Sequence, residues 1–176
     1  QQAKAHPRVL RGLFKKASEK FRSTPWHRRV SLFYNLDTRL FGSDDYDLDA
    51  VIDALDSQDF DKGKLCFEIS EQHEICRPLE LTERLKAIRI KGIRIAVDDF
   101  GVGFSGLRLL YYSRPDYIKI DRFFIQHIAK DSEKRMLAGS IVSIAHQMGS
   151  IVIAEGVENE QEFYECRNIG CDMVQG

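Results

Sequence analysis

The chain has 176 residues, 43% hydrophobic and 30% charged, with a formal net charge of −1, a balance that fits one globular domain with a sizeable core. Charge near zero, with no long block of one sign, excludes a nucleic-acid groove or a membrane surface built on bulk electrostatics, so no DNA or RNA partner is expected. The cysteines Cys66, Cys76, Cys166 and Cys171 lack zinc-finger or CxxC spacing and read as reduced thiols. No apolar run approaches the roughly 18 residues of a membrane span. The domain is therefore expected in the cytoplasm, whatever anchor the parent protein carries elsewhere.

Taken in order, the first 22 residues are basic and amphipathic, with Val9, Leu10, Leu13, Phe14, Ala17 and Phe21 at helical spacing, and read as a solvated helix packed on a domain. Ser23-Thr24-Pro25 breaks it. Arg29 to Asn35 (RVSLFYN) reads as a strand, followed by a loop around Gly42 and an acidic helix from Asp47 to Leu55. Lys64 to Ser70 (KLCFEIS) is the second strand, and Leu79 to Ile90 a helix with Pro78 in its first turn. Ile93 to Asp98 is the third strand, leading into a short helix from Ser105 to Tyr112. Tyr117 to Asp121 (YIKID) is the fourth. A helix with Ser132 as N-cap runs to Gly149. Ser150 to Glu155 (SIVIAE) is the fifth strand, Asn159 caps a helix ending at Gly170, and Asp172 to Gln175 begins a sixth.

Strand and helix alternate throughout, the signature of βα units on a parallel sheet. The expectation is an α/β fold in one domain over residues 1–176, with an N-terminal helical region over 1–28 and βα units over 29–176. The chain opens at Gln1 without a methionine and closes at Gly176 within a strand-like run, so a fragment of a longer protein is expected.

In such folds ligands bind at the carboxyl ends of the strands. Those ends carry Asn35, Glu68 with Glu71, Asp98 with Asp99, Lys119 with Asp121, Glu155 with Glu158, and Gln175. Any one of these acids taken singly is more often a cap or a surface group than a ligand, and Asp121 in particular suits a cap. Together they converge, and carboxylates sharing one mouth repel unless cations neutralise them. Oxygen donors without histidine or cysteine select a hard ion such as Mg²⁺, Mn²⁺ or Ca²⁺. The histidines His6, His27, His73, His127 and His146 form no ligand pair. Adjacent acids such as Asp98 and Asp99 can serve two ions, the arrangement that stabilises attacking and leaving oxygens in phosphoester displacement. GVGFSG, after Asp99, lacks the lysine of a nucleotide-binding P-loop and the spacing of a dinucleotide loop, and reads as a mobile loop supporting the metal site.

FEISE (residues 67–71), DDFGVGFSGL (98–107), DYIKID (116–121), AEGVEN (154–159) and MVQG (173–176) resemble, in order and spacing, the motifs of the EAL family of cyclic-di-GMP phosphodiesterases, over residues 29–176. The resemblance implies a modified TIM barrel of the EAL type, present here as an incomplete barrel, that cleaves cyclic di-GMP to linear pGpG with two Mg²⁺ or Mn²⁺ ions. It further implies Asn35, Glu68 and Asp98 as ligands of a first metal, with Asp98 bridging to a second held by Asp99 and Glu155. Lys119 would position the attacking water and Glu71 would steady the DFGVGF loop. Glu158 and Gln175, with Asp121, would complete the substrate side. A homodimer and fusion to sensory or GGDEF-type domains are implied too.

Two departures stand out. The Glu-Ala-Leu motif of the first barrel strand is absent, so one ligand of the first metal is missing from this chain. The family's small hydroxyl residue, tyrosine and serine are here Val102, Phe104 and Gly106, which bears on loop coupling. Two classes of function are therefore weighed: a metal-dependent hydrolase, and a catalytically silent member that binds the nucleotide or a protein partner as a sensor. The 176-residue chain by itself is expected to have little or no activity.

Overall fold

Runs in which apolar residues recur at every second position form strands here, and the computed structural model describes them within residues 7–37, 52, 60–71, 77–103 and 106–176. The strands are β1 (Leu32–Asn35), β2 (Leu65–Ser70), β3 (Arg94–Phe100), β4 (Tyr117–Ile120), β5 (Ile151–Glu155) and β6 (Met173–Gln175). Each is hydrogen-bonded in parallel to the next, in the order β1-β2-β3-β4-β5-β6. The helices are α1 (Pro7–Arg22), α2 (Pro78–Ile90), α3 (Gly106–Ser113), α4 (Arg122–Ile125), α5 (Ser132–Gln147) and α6 (Glu160–Asn168). Sequential parallel order with helical crossovers is the (β/α) barrel arrangement. With six strands and no closing pair among the described residues, it is an incomplete barrel.

Strand residues alternate between two cores. Phe67, Ile95 and Ile118 face outward against Leu81, Leu85 and Val142 of the helices; fully burying each of these strand side chains stabilises the fold by about 1.5–3 kcal/mol. Cys66, Ala96, Tyr117 and Ile153 face inward and pack together with Phe33. Neighbouring strands are staggered: Glu68 lies opposite Ala96, and Lys119 opposite Ile153. Asp98 and Glu155 therefore each stand two residues further along than the direct partner of the preceding strand. Such stagger is what strand tilt in a barrel requires.

Several boundaries differ from the sequence expectation. β1 starts at Leu32, because Arg29 and Val30 close a turn on the Trp26 carbonyl. β3 continues past Asp98 to Phe100, and α4 follows Asp121 unannounced. Asp131, not Ser132, caps α5: its carboxylate accepts from the Glu133 and Lys134 amides, each at 3.0 Å. A carboxylate reaches both amides at once, so the residue one position earlier takes the cap. Pro78 occupies the first turn of α2, and Asn159 caps α6, as the sequence indicates. The acidic helix expected from Asp47 to Leu55 lies almost wholly outside the described residues, as do the Gly42 loop, His6, His73, Cys76, Phe104 and Ser105; Ile52 alone of that helix is described, buried. Among the described residues no helix is long and apolar enough to cross a membrane.

Candidate metal centre

The alternation that points Phe33, Cys66, Ala96, Tyr117 and Ile153 into the barrel points the residues two further on the same way. Those residues are Asn35, Glu68, Asp98, Lys119 and Glu155, so a polar layer sits directly above an apolar floor. Adjacent residues of a regular strand face opposite sides, which would send Asp99 outward. A bulge prevents this. The β3–β4 register passes from Val97 opposite Ile118 to Phe100 opposite Ile120, leaving both aspartates across from Lys119. Asp99 takes a left-handed backbone, with φ 54°, a conformation aspartate tolerates better than most residues. Bulges of this kind re-aim side chains beside functional sites. Carboxylate oxygens of Asp98, Asp99 and Glu155 consequently lie within 4.8 Å of one another.

Lys119 is the hub of the layer. Its Nζ is 2.7 Å from Glu68 Oε1, 2.7 Å from Asp98 Oδ1 and 2.8 Å from Glu155 Oε1. The side chain is only 7% exposed. Burial disfavours its charge, but the hydrogen bonds to Asp98, Glu155 and Glu68 outweigh that and hold the ammonium pKa above its ordinary value. Burial pushes the Glu68 and Glu155 carboxyls up; Lys119 pulls them back, and the charges of Asp98 and Asp99 add to the rise. Partial neutralisation thus comes from the protein itself, which the sequence reading did not foresee. It is incomplete: against one ammonium, the carboxylates of Glu68, Asp98 and Glu155 leave a formal excess of two negative charges, with the Asp99 carboxylate beside two of them. All-oxygen donors with surplus negative charge fit hard divalent cations, so the residues present suit Mg²⁺ or Mn²⁺.

Glu71 stands behind this layer, 3% exposed. Its Oε2 accepts the Gly101 amide at 2.6 Å, and its own amide donates to the Asp98 carbonyl at 3.3 Å. The carboxylate therefore ties the loop after the paired aspartates to the end of β2. Gly103 and Gly106 press on it: a Cβ at position 106 would come 2.6 Å from Glu71 Oε1 and 2.9 Å from the Phe100 ring.

The remaining expected site residues stand around the carboxylate cluster. Asn35 ends β1 opposite Glu68, exposed. Gln175 pairs with Glu155 on the edge strand β6. Asp121 caps α4, accepting the Phe123 amide at 2.7 Å. Glu158, with its side chain 63% exposed, faces Arg122 at 3.9 Å. Arg122 itself went unnoticed in the sequence, although its position directly after the fourth strand marks it as a rim residue.

The EAL domain family model matches residues 1–176. The cyclic di-GMP phosphodiesterase RocR of Pseudomonas aeruginosa is 34% identical over 114 residues, 65% of this chain and 29% of that protein. The EAL domain of Mycobacterium smegmatis DcpA superposes with a TM-score of 0.84 at 27% identity, covering 96% of this chain and 74% of that one. Klebsiella pneumoniae BlrP1, in a complex with manganese and cyclic di-GMP, superposes with a TM-score of 0.79 at 29% identity, over 97% of this chain and 42% of that one. The chain spans less than a third of the length of the curated relatives it matches.

Proposed function

We propose, from the premise that this chain belongs to the EAL domain family, that the protein it is part of is a cyclic-di-GMP phosphodiesterase that opens the cyclic dinucleotide to linear pGpG at a centre of two divalent ions, Mg²⁺ or Mn²⁺. The observation carrying this reading is the convergence of the Glu68, Asp98 and Glu155 carboxylates on Lys119, with Asp99 drawn in beside Asp98 and Glu155. Asn35, Glu68 and Asp98 would hold one ion, with Asp98 shared and Asp99 and Glu155 holding the other. Bound there, the ions supply the charge that activates water and stabilises phosphate oxygens.

The chain's own residues do the rest. Lys119 presents N–H donors at the centre of the rim and orients the attacking water. Glu155, hydrogen-bonded to Lys119, keeps that ammonium aimed. Glu71 holds the Gly101 amide and so fixes the loop carrying Asp99. Gln175, opposite Glu155, and Asp121 and Glu158, in the turns after β4 and β5, lie on the side where the dinucleotide enters. The reading includes a single domain in the cytoplasm, a homodimer, and sensory or GGDEF-type domains elsewhere in the protein, in keeping with the small share of its relatives that the chain spans.

The test is hydrolysis of cyclic di-GMP by the full-length protein with Mg²⁺ or Mn²⁺, wild type against Glu68→Ala. Turnover in the wild type alone is expected, and its absence from both refutes the enzyme. A second reading, a silent nucleotide-binding module, is favoured by one observation: Gly106 lets the loop pack directly onto Glu71, where the family's serine would need space. Calorimetric binding of cyclic di-GMP without hydrolysis would select that reading. A Glu-Ala-Leu motif encoded upstream of Gln1 would favour the enzyme. For the 176-residue chain alone little or no turnover is expected.

A further inference from the structure

α6 ends in a Schellman motif, and both residues that the motif brings together are cysteines. Gly170, at φ 94°, turns the chain left-handed just past the helix. Its amide donates to the Arg167 carbonyl at 3.1 Å, and the Cys171 amide donates to the Cys166 carbonyl at 2.9 Å. This closure ordinarily seats an apolar contact between its first and last side chains. Here the contact is thiol to thiol. Cys166 is wholly buried, Cys171 is partly exposed, and the two are hydrogen-bonded to each other.

We infer that Cys166 and Cys171 form an oxidisable thiol pair, closing to an intramolecular disulfide under a peroxide and reopening under a thiol reductant. Cys171, partly exposed, opens the way for the oxidant, and Cys166 lies directly beneath it, so either order of attack ends in the same bridge. One thiolate attacks a peroxide oxygen, the O–O bond breaks, and hydroxide leaves behind a sulfenic acid. The second thiolate then attacks that sulfur, the S–S bond forms, and the sulfenic oxygen departs as hydroxide. The two thiol protons convert both hydroxides to water, so the pair is oxidised by two electrons and the peroxide reduced by two.

The surroundings favour this chemistry. The hydrogen bond from Cys171 stabilises the Cys166 thiolate and, against the opposing effect of burial, holds that thiol below its ordinary range; Cys171 is correspondingly raised, first by that hydrogen bond and then by burial. The two titrate as a unit. Isolated Cys66, in the inner layer of the barrel, is instead pushed up by its burial and stays a thiol. The backbone hydrogen bond already joining the pair means that the bridge closes a loop the fold has formed. So short a loop gains little stability from cross-linking, which suits a reversible bond. The bridge ties the last turn of α6 to the residue before Asp172, whose carboxylate accepts the Val152 amide at 2.7 Å, and β6 with Gln175 follows.

Trypsin cuts after Arg167, between the two sulfurs, so the flanking peptides stay joined only if the bridge exists. The full-length protein is treated with hydrogen peroxide under native conditions, alkylated, digested without reductant and analysed by mass spectrometry. Expected are joined peptides lighter by two hydrogen atoms, separation by dithiothreitol, and Cys66 alkylated only after unfolding. Cys171→Ala is expected to abolish the joined species with unchanged circular dichroism. Cys171 found solely as sulfinic or sulfonic acid, or bridges shared with Cys66, would overturn the proposal. Because the readout is a covalent bond, it stands or falls independently of phosphodiesterase activity.

Discussion

At the amino-terminal ends of the strands each acid has partners of its own, whereas at the carboxyl-terminal ends three acids share one ammonium. Before β2, Asp61 accepts the Gly63 amide at 3.0 Å. Before β4, Asp116 accepts the Ile95 amide at 2.8 Å and faces Arg89 at 3.7 Å. Before β6, Asp172 accepts the Val152 amide and meets His146 Nε2 at 2.9 Å. Arg94, at the foot of β3, donates to the Gly63 carbonyl at 3.0 Å and to the Tyr117 hydroxyl. The same residue types thus close the fold at one end and leave unbalanced charge at the other. Private partners make an acid structural; acids that share one cation keep a surplus of negative charge that a bound cation would offset.

The sharpest way to break this contrast is to remove the shared ammonium. Lys119→Ala leaves Glu68 buried, and Asp98 and Glu155 half-buried, without their cation, a change that costs up to about 3–5 kcal/mol when a buried ionic group loses its partner. Urea denaturation in EDTA should show that loss, and Mn²⁺ should restore much of it by binding the folded state alone. If the full-length protein is the proposed phosphodiesterase, its turnover should stay depressed by roughly 10² or more, as when a preorganised donor is removed from an enzyme active site. Unchanged stability without metal would show that Lys119 does not neutralise the rim.

At the opposite end the expected effect is smaller and confined to stability. Arg89 donates to the Ser113 and Arg114 carbonyls, each at 2.6 Å, and so clamps a turn in which Arg114 itself has a positive φ of 42°. Arg89→Met should lower unfolding stability by about 1–3 kcal/mol and leave kcat of the folded protein unchanged. A fall in kcat would erase the division between the two ends.

The smallest effect concerns pH. Burial alone would raise the Asp172 carboxyl, but the Val152 amide and His146 outweigh it and hold its pKa below the ordinary value. Its contribution is therefore complete above the unfolded-state pKa of about 3.9 and is lost as pH falls through the lower folded-state value. Asp172→Asn should lower stability at neutral pH and flatten the acid limb of the curve, the gap to wild type closing as pH falls through the carboxyl's titration. An unaltered acid limb would refute the role.

Much of this was legible because the signals were local. YIKID, SIVIAE and KLCFEIS are short apolar runs with an acid at or near the end, so their strands and those acids could be named without coordinates. The acid pair was legible as a motif, but its strand was ended at Asp98, since nothing in VDDF announces that the register slips opposite Lys119. α4 escaped notice for a similar reason: a single turn of helix after Asp121 leaves no periodicity to detect. The cap of α5 was misplaced by one residue because serine and aspartate are both good caps, and only backbone direction chooses between them.

By itself the sequence determined the βα order, the parallel sheet and the set of oxygen-bearing residues at the strand ends, because hydrophobic period and residue chemistry are properties of neighbours along the chain. Only the tertiary structure decided that Asp99 joins Asp98 on the inner face, that Lys119 bonds to three carboxylates at once, and that Cys166 and Cys171 meet. Each depends on a backbone conformation or a contact between separated segments, and such contacts are set by packing rather than by any stretch of sequence taken alone.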